Sequence, residues 1–129
     1  MPTLKQQPTA DAGETPSDSH TPFIHCVEHT RAGEPFPVAV RVGHESEHPD
    51  DPEHYIPWVQ LWSGDRFLAE AHFAQGLLGG RGARGNATVT FNLVPAPGTL
   101  ELTALAYCNR HGLWESAPMR VEVEAPEAE

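Results

Sequence analysis

What this chain has little of narrows its chemistry quickly. Lysine occurs once, at Lys5, and with the arginines it makes only eight cationic side chains against eighteen acidic ones, a formal charge of −10. Nucleic-acid binding needs a basic face, so no nucleic-acid partner is expected. An anionic small molecule would be repelled by the protein as a whole and would need a local positive site. No apolar run approaches the ~18–20 residues that span a bilayer, so no membrane partner is expected. The stretch from Met1 to Ser19 lacks the basic-then-apolar pattern of a secretion signal, and the expected location is cytoplasmic. Cysteine occurs twice, at Cys26 and Cys108, too rarely for a disulfide scaffold. In a reducing cytosol one bridge between them is the weaker reading than two free thiols. Histidine, by contrast, occurs eight times, as often as lysine and arginine together, and that balance points to metal chemistry.

The length suits one domain with one core. Residues 1–19, rich in Pro, Thr, Ser and Asp, read as a mobile N-terminal arm, residues 20–125 as the domain, and 126–129 as a tail. Strands are expected at Phe23 to His29, from Phe36 to Val42 where Phe36, Val38, Val40 and Val42 alternate, and at Ile56 to Trp62, apolar enough to be covered on both faces. Pro37 suggests an edge position or a strand start. Ser63-Gly64-Asp65 is a hairpin turn, and Phe67, Ala69, Ala71 and Phe73 mark the returning strand. Val89 to Leu93, Leu100 to Tyr107 and Met119 to Val123 complete the set. Seven short strands with regular turns and no helical period give an all-β fold, a seven-stranded antiparallel immunoglobulin-like β-sandwich. The loop from Gly43 to Tyr55 is dense in prolines and charge, and its carboxylates read as solvated. The segment from Gly76 to Gly85 lacks the Gly-Lys-Ser/Thr of a phosphate cradle and reads as a flexible connection.

The chemistry concentrates in Ala106-Tyr107-Cys108-Asn109-Arg110-His111-Gly112-Leu113-Trp114. Cys108 continues the inward parity of Leu100, Leu102, Ala104 and Ala106, and His111 can fold back beside it because Gly112 frees the backbone. Either these two hold a metal, or a small buried cysteine is followed by an exposed histidine. His20, before the first strand, and His48 and His54, on the acidic loop, flank strand ends and could converge with them at one end of the sandwich. Four nitrogens and one sulfur suit tetrahedral structural zinc poorly. Five ligands with an open sixth position suit a redox iron that meets a small molecule directly. His25, His29 and His72 fall on strand positions and read as surface residues. Two other classes stay open. A blue-copper electron carrier could use Cys108, His111, Met119 and His54, though Met119 follows late for that pattern. A metal-free interaction module would make the histidines coincidence.

His48-Pro49, Glu53-His54-Tyr55-Ile56-x-Trp58 and Cys108-Asn-x-His-Gly-Leu-Trp114 resemble the superoxide reductases, the neelaredoxin and desulfoferrodoxin group. His20-x-Pro22 and Ala32-Gly33-Glu34-Pro35-Phe36 extend the resemblance, which runs from about His20 to Met119. The four-cysteine module of desulfoferrodoxins is absent, so the chain is similar to the one-iron type. The resemblance implies one iron per chain, in a plane of His20, His48, His54 and His111 with Cys108 on the axis. It implies one-electron reduction of superoxide to hydrogen peroxide, a small electron donor such as a rubredoxin-like carrier, and a homo-oligomer (dimer or tetramer). Where the family has Glu-Lys-His at its first ligand, this chain has Asp18-Ser19-His20. Asp18, or Glu14 from the arm, would then supply the catalytic carboxylate. With no lysine near, the local positive charge would come from the iron itself, from His44 or from an arginine such as Arg110.

Overall fold

Alternation in the sequence becomes two main sheets with one core between them. The structure, a computed structural model, describes residues 16–126. A single helical turn, α1 (Pro16–His20), precedes β1 (Pro22–His25), β2 (His29–Arg31), β3 (Phe36–Val42), β4 (His48–Pro49), β5 (Trp58–Ser63) and β6 (Arg66–His72). The chain continues through β7 (Arg84–Gly85), β8 (Thr88–Leu93), β9 (Gly98–Cys108), β10 (Gly112–Glu115) and β11 (Met119–Glu124). One sheet has the order β1-β3-β8, and the larger has the order β2-β11-β9-β5-β6, with β10 also paired to β9. The short strands β4 and β7 pair with each other alone.

The all-β expectation holds, and three details of it change. Among the described residues there are eleven strands rather than seven, because short pairings are added around the loops. The strand expected from Phe23 to His29 divides, β1 joining the small sheet and β2 the large one. The β2 pairing with β11 is parallel, so the arrangement is not purely antiparallel. Pro37 fits its place for a physical reason: β1 covers β3 only from Ala39 to Val42, which leaves the Pro37 end open on that side. There a missing N–H costs no ladder bond.

Inward side chains of both sheets meet in one cluster. Val38, Val40 and Val42 of β3 face Val59 and Leu61 of β5, Leu102, Ala104 and Ala106 of β9 and Val121 of β11, all fully buried. Burying each Val or Leu contributes roughly 1.5–3 kcal/mol, which is why the register is firmly specified. The outer face of β5 is only half covered. Trp58 stacks on Tyr107 at 5.4 Å, and Trp62 meets Phe67 edge-on at 5.5 Å. The nearly continuous apolar run of β5, interrupted at Gln60, is therefore explained by aromatic pairing across strands rather than by a second buried layer. β9, the longest strand, runs through the core and delivers its last residue, Cys108, to one end of the molecule.

Candidate metal centre

Cys108 is fully buried, as its parity on β9 requires. β10 pairs back onto β9 with Gly112 opposite Cys108, so Asn109, Arg110 and His111 form the whole turn. Gly112 takes φ +84°, a region costly for any residue with a Cβ. The reversal brings the His111 N–H to the sulfur at 3.3 Å and Nδ1 of its ring to 3.9 Å from it. Asn109, in contrast, turns its amide to the Tyr55 carbonyl at 3.1 Å. Burial pushes the Cys108 thiol pKa up, opposed by the amides of Arg110 and His111 and by the Arg110 charge. The sulfur is a thiol until a bound cation displaces its proton.

His48 comes from β4 and is fully buried. Its Nδ1 lies 2.6 Å from the Pro49 carbonyl, which can only accept, so Nδ1 carries the proton and Nε2 the free lone pair. Burial, then the neighbouring His20, pushes its pKa down to about 3, and the Pro49 carbonyl opposes this only in part. His54 is half-buried, and its pKa is lowered first by burial and then by the positive charges of His111 and Arg110. Both rings are therefore neutral donors at physiological pH. Nε2 of His48 and Nε2 of His54 are buried with no hydrogen-bond partner. Two such lone pairs cost about 1–3 kcal/mol each unless something electrophilic lies between them.

His20, nearly fully buried, closes the group from the end of α1. Ser19 Oγ is 2.8 Å from its Nδ1, and its Nε2 is 3.1 Å from Nδ1 of His111. One ligand atom each from His20, His48, His54 and Cys108 lie within 4.8 Å of one another. The four imidazoles form a closed circuit, with successive centroids 4.5 Å (His20–His48), 4.6 Å (His48–His54), 4.7 Å (His54–His111) and 5.0 Å (His111–His20) apart. Neighbouring rings stand at 70–83° to each other, and His20 and His54 face across the diagonal at 5.7 Å. Three imidazoles grouped with one buried sulfur, and a fourth, His111, with its Nδ1 beside both that sulfur and His20, are a donor set fit for a transition metal. His111 is exposed and His54 half-buried, so access is from their side.

Other residues singled out in the sequence lie elsewhere. The Asp18 carboxylate accepts from the Ser46 N–H at 2.6 Å, and hydrogen bonds from Ser46, side chain first, hold its pKa below the usual range. It is thus already engaged with the acidic loop. Glu14 lies outside the described residues. His44 is exposed, its ring 5.1 Å from Phe23. His25, His29 and His72 are exposed, and Cys26 and Cys108 are free. Met119 pairs with Leu102, six residues down β9 from Cys108, roughly 20 Å at strand rise, so the copper set is not assembled.

Two features went unread in the sequence. Trp114 is buried with its ring 5.0 Å from that of His20, forming a wall of the centre. Asp50, expected to be a solvated loop acid, is buried, with its carboxylate on backbone amides of the glycine-rich segment. That segment is correspondingly a built loop and not a flexible connection. Alternating acidic and glycine-rich stretches gave no signal that they would meet.

The desulfoferrodoxin family profile matches residues 12–117. A neelaredoxin of Megalodesulfovibrio gigas is 37% identical over 113 residues, spanning 78% of this chain and 85% of the relative. A superoxide reductase of Thermococcus kodakarensis is 37% identical over 116 residues, spanning 84% and 92%. Among solved structures, the superoxide reductase (neelaredoxin) of Ignicoccus hospitalis superposes with a TM-score of 0.66 at 34% identity, covering 82% of each chain. Likeness of this extent, in sequence and in fold together, places the chain in the desulfoferrodoxin family, with the superoxide reductases.

Proposed function

We propose that this protein is a superoxide reductase that holds one iron per chain through His20, His48, His54, His111 and Cys108. The observation that carries the reading is the closed ring of four imidazoles beside a buried cysteine, with the Nε2 atoms of His48 and His54 buried and unsatisfied. When bound, iron would supply the one-electron couple; with two protons, each superoxide gives one hydrogen peroxide, and an external donor restores the electron.

The residues divide this work. Cys108 would give a thiolate on the inner side, its charge tempered by amide donors from the turn. The Pro49 carbonyl holds His48 in the tautomer that points Nε2 inward, and the Ser19 hydroxyl, 2.8 Å from Nδ1 of His20, anchors that ring from behind. A bound cation would replace the His20–His111 hydrogen bond and displace the Cys108 thiol proton, so loading would release a proton. Trp114 and the core strands keep water from the sulfur side, while exposed His111 leaves the opposite side to the substrate. Arg110 stands two residues from Cys108 and beside His111, exposed, and its charge is felt at both His54 and Cys108. It would attract the anion in place of the family's lysine. The donor is proposed to be a small rubredoxin-like carrier in the cytoplasm, and the working form a homo-oligomer. Among the described residues no helix is long and apolar enough to cross a membrane.

Metal analysis of the purified protein, combined with superoxide consumption and peroxide yield, tests this. One iron per chain and one peroxide per superoxide are expected. Copper in its place, or dioxygen released alongside half that peroxide, would overturn it.

A further inference from the structure

One carboxylate of the acidic loop has no part in the chemistry above. Asp50 is 2% exposed, and its side chain accepts from the N–H groups of Leu78 and Gly80 at 2.8 Å each and of Gly76 at 3.4 Å. Its backbone is tied to the same segment, Asp50 N–H to the Ala83 carbonyl at 3.2 Å and Gln75 Nε2 to the Asp50 carbonyl at 2.9 Å. Burying a carboxylate is costly unless donors surround it, and here backbone amides supply them. The glycine-rich loop is therefore an amide cradle already filled by a residue of its own chain, which also accounts for its carrying no phosphate motif.

The cradle bears on both loop histidines. Asp50 is two residues after His48 and four before His54. His48 pairs with Gly85 across β4 and β7. His54 and Asp51 exchange backbone bonds, His54 N–H to the Asp51 carbonyl at 2.9 Å and Asp51 N–H to the His54 carbonyl at 3.1 Å, while Gly82 N–H holds the Asp51 carboxylate at 2.8 Å. Arg81 grips Glu53 through two bonds of 2.9 and 3.0 Å, both groups exposed. Most ties that leave residues 48–54 thus lead to residues 75–85, with Pro52 also accepting from Asn109 Nδ2 at 3.1 Å, and only the Asp50 carboxylate is buried among the acidic groups that make them.

We propose that Asp50 is a positioning residue for the metal centre, pinning residues 75–85 against the loop and so setting the spacing of His48 and His54. The inference rests on the reading that His48 and His54 hold a metal. In this arrangement half of the ligand ring is organised by a carboxylate that never touches the metal, and its loss loosens two ligands while leaving the Cys108 turn in place.

The test is a cobalt(II) titration of the full-length apoprotein, followed by the sulfur-to-metal absorption band, in wild type, Asp50→Ala, Asp50→Asn and Val121→Ala. Asp50→Ala should weaken cobalt binding about 10–100-fold, the usual range for a lost outer partner. Asp50→Asn should lose less, since one amide oxygen still accepts while its NH₂ opposes the cradle. Val121→Ala removes bulk from a fully buried core position and serves as the stability control, with affinity within twofold of wild type. Hydrogen exchange at the Leu78 and Gly80 amides should quicken in the Asp50 variants alone. Cobalt affinity within twofold of wild type in Asp50→Ala, or an equal loss in Val121→Ala, would overturn the proposal. If Asp50→Ala does not fold, Asp50→Asn decides in the same way: weakened binding supports the proposal and unchanged binding overturns it. A wild type that binds no cobalt through sulfur would instead remove the metal centre, and this inference with it.

Discussion

Two halves of the ligand ring are built by different means. Cys108 and His111 reach the centre from one hairpin turn, three residues apart, with a single glycine closing the reversal. His48 and His54 reach it from a loop that has almost no regular structure and is held by a second loop far along the chain. In the turn, placement is mainly local, the reversal itself setting the two donors while Asn109 clasps Pro52 and Tyr55 of the loop. In the loop, placement depends on contacts between segments roughly 30 residues apart, whose closure entropy must be offset by hydrogen bonds. The turn should therefore tolerate damage elsewhere, and the loop should be the first part of the centre to loosen.

The sharpest way to break this comparison is to remove a donor from the turn. Cys108→Ser should abolish the visible sulfur-to-iron band and nearly all reductase activity, with little change in fold, because the backbone reversal does not depend on the sulfur. Cys26→Ser should change neither, since Cys26 sits half-buried between β1 and β2, away from the ring. Absorption spectra and superoxide decay on the two variants decide it, and like behaviour in both would show that the assignment of Cys108 is mistaken.

A second measurement sharpens the contrast from the loop side. His48 in the metal-free protein has its pKa lowered from the ordinary imidazole value near 6.5 to about 3, mainly by burial. The unfolded chain takes up a proton there that the folded one refuses. Stability is therefore fully present above pH 6.5 and is lost as pH falls from 6.5 towards 3, by up to about 1.4 kcal/mol per pH unit. The lowered pKa of His54 acts in the same direction. Urea midpoints of the apoprotein should fall steadily from pH 7 to pH 4.5, and His48→Gln should flatten that fall. A midpoint that stays level over the range would mean that the ring is hydrated and His48 is not desolvated.

How far this architecture can be read from the sequence follows the same division. The strands carrying Val38, Val40, Val42, Leu102, Ala104 and Ala106 announce themselves by period two, and Cys108 inherits its inward direction from that parity. The turn is legible because its donors are neighbours. The convergence of His20, His48 and His54 is not, since nothing local says which loops meet at one end of a sandwich, and the family resemblance supplied it. Asp50 escaped because a buried carboxylate looks like any other acid in an acidic loop. Its partners are backbone amides, which leave no trace in side-chain chemistry. The short pairings β4–β7 and β9–β10 were missed for a related reason, being too brief to show a period.

The smallest expected effect concerns charge at the open side of the ring. Position 19, where the family carries lysine, is a serine whose hydroxyl is committed to Nδ1 of His20. Arg41 bonds Asn86, Arg81 pairs with Glu53, Arg84 donates to the Glu47 carbonyl and Arg120 pairs with Glu101 and Glu122. Arg110, exposed between two of the donors and with no ion pair among the described residues, is a cation whose charge is felt at both His54 and Cys108. Superoxide approaches a protein of formal charge −10, so its attraction must be local and must weaken as salt screens it. Arg110→Gln should slow the second-order reaction about two- to fivefold at low ionic strength, a modest change for one exposed charge, and the deficit should shrink near 0.15 M salt, where the screening length is about 8 Å. Arg110→Lys should restore the wild-type rate, because a point charge serves here as well as a planar fork. Pulse radiolysis across a salt series measures all three. A deficit that persists at high salt would show that Arg110 acts through the shape of the turn, and that the anion is drawn in by the centre itself.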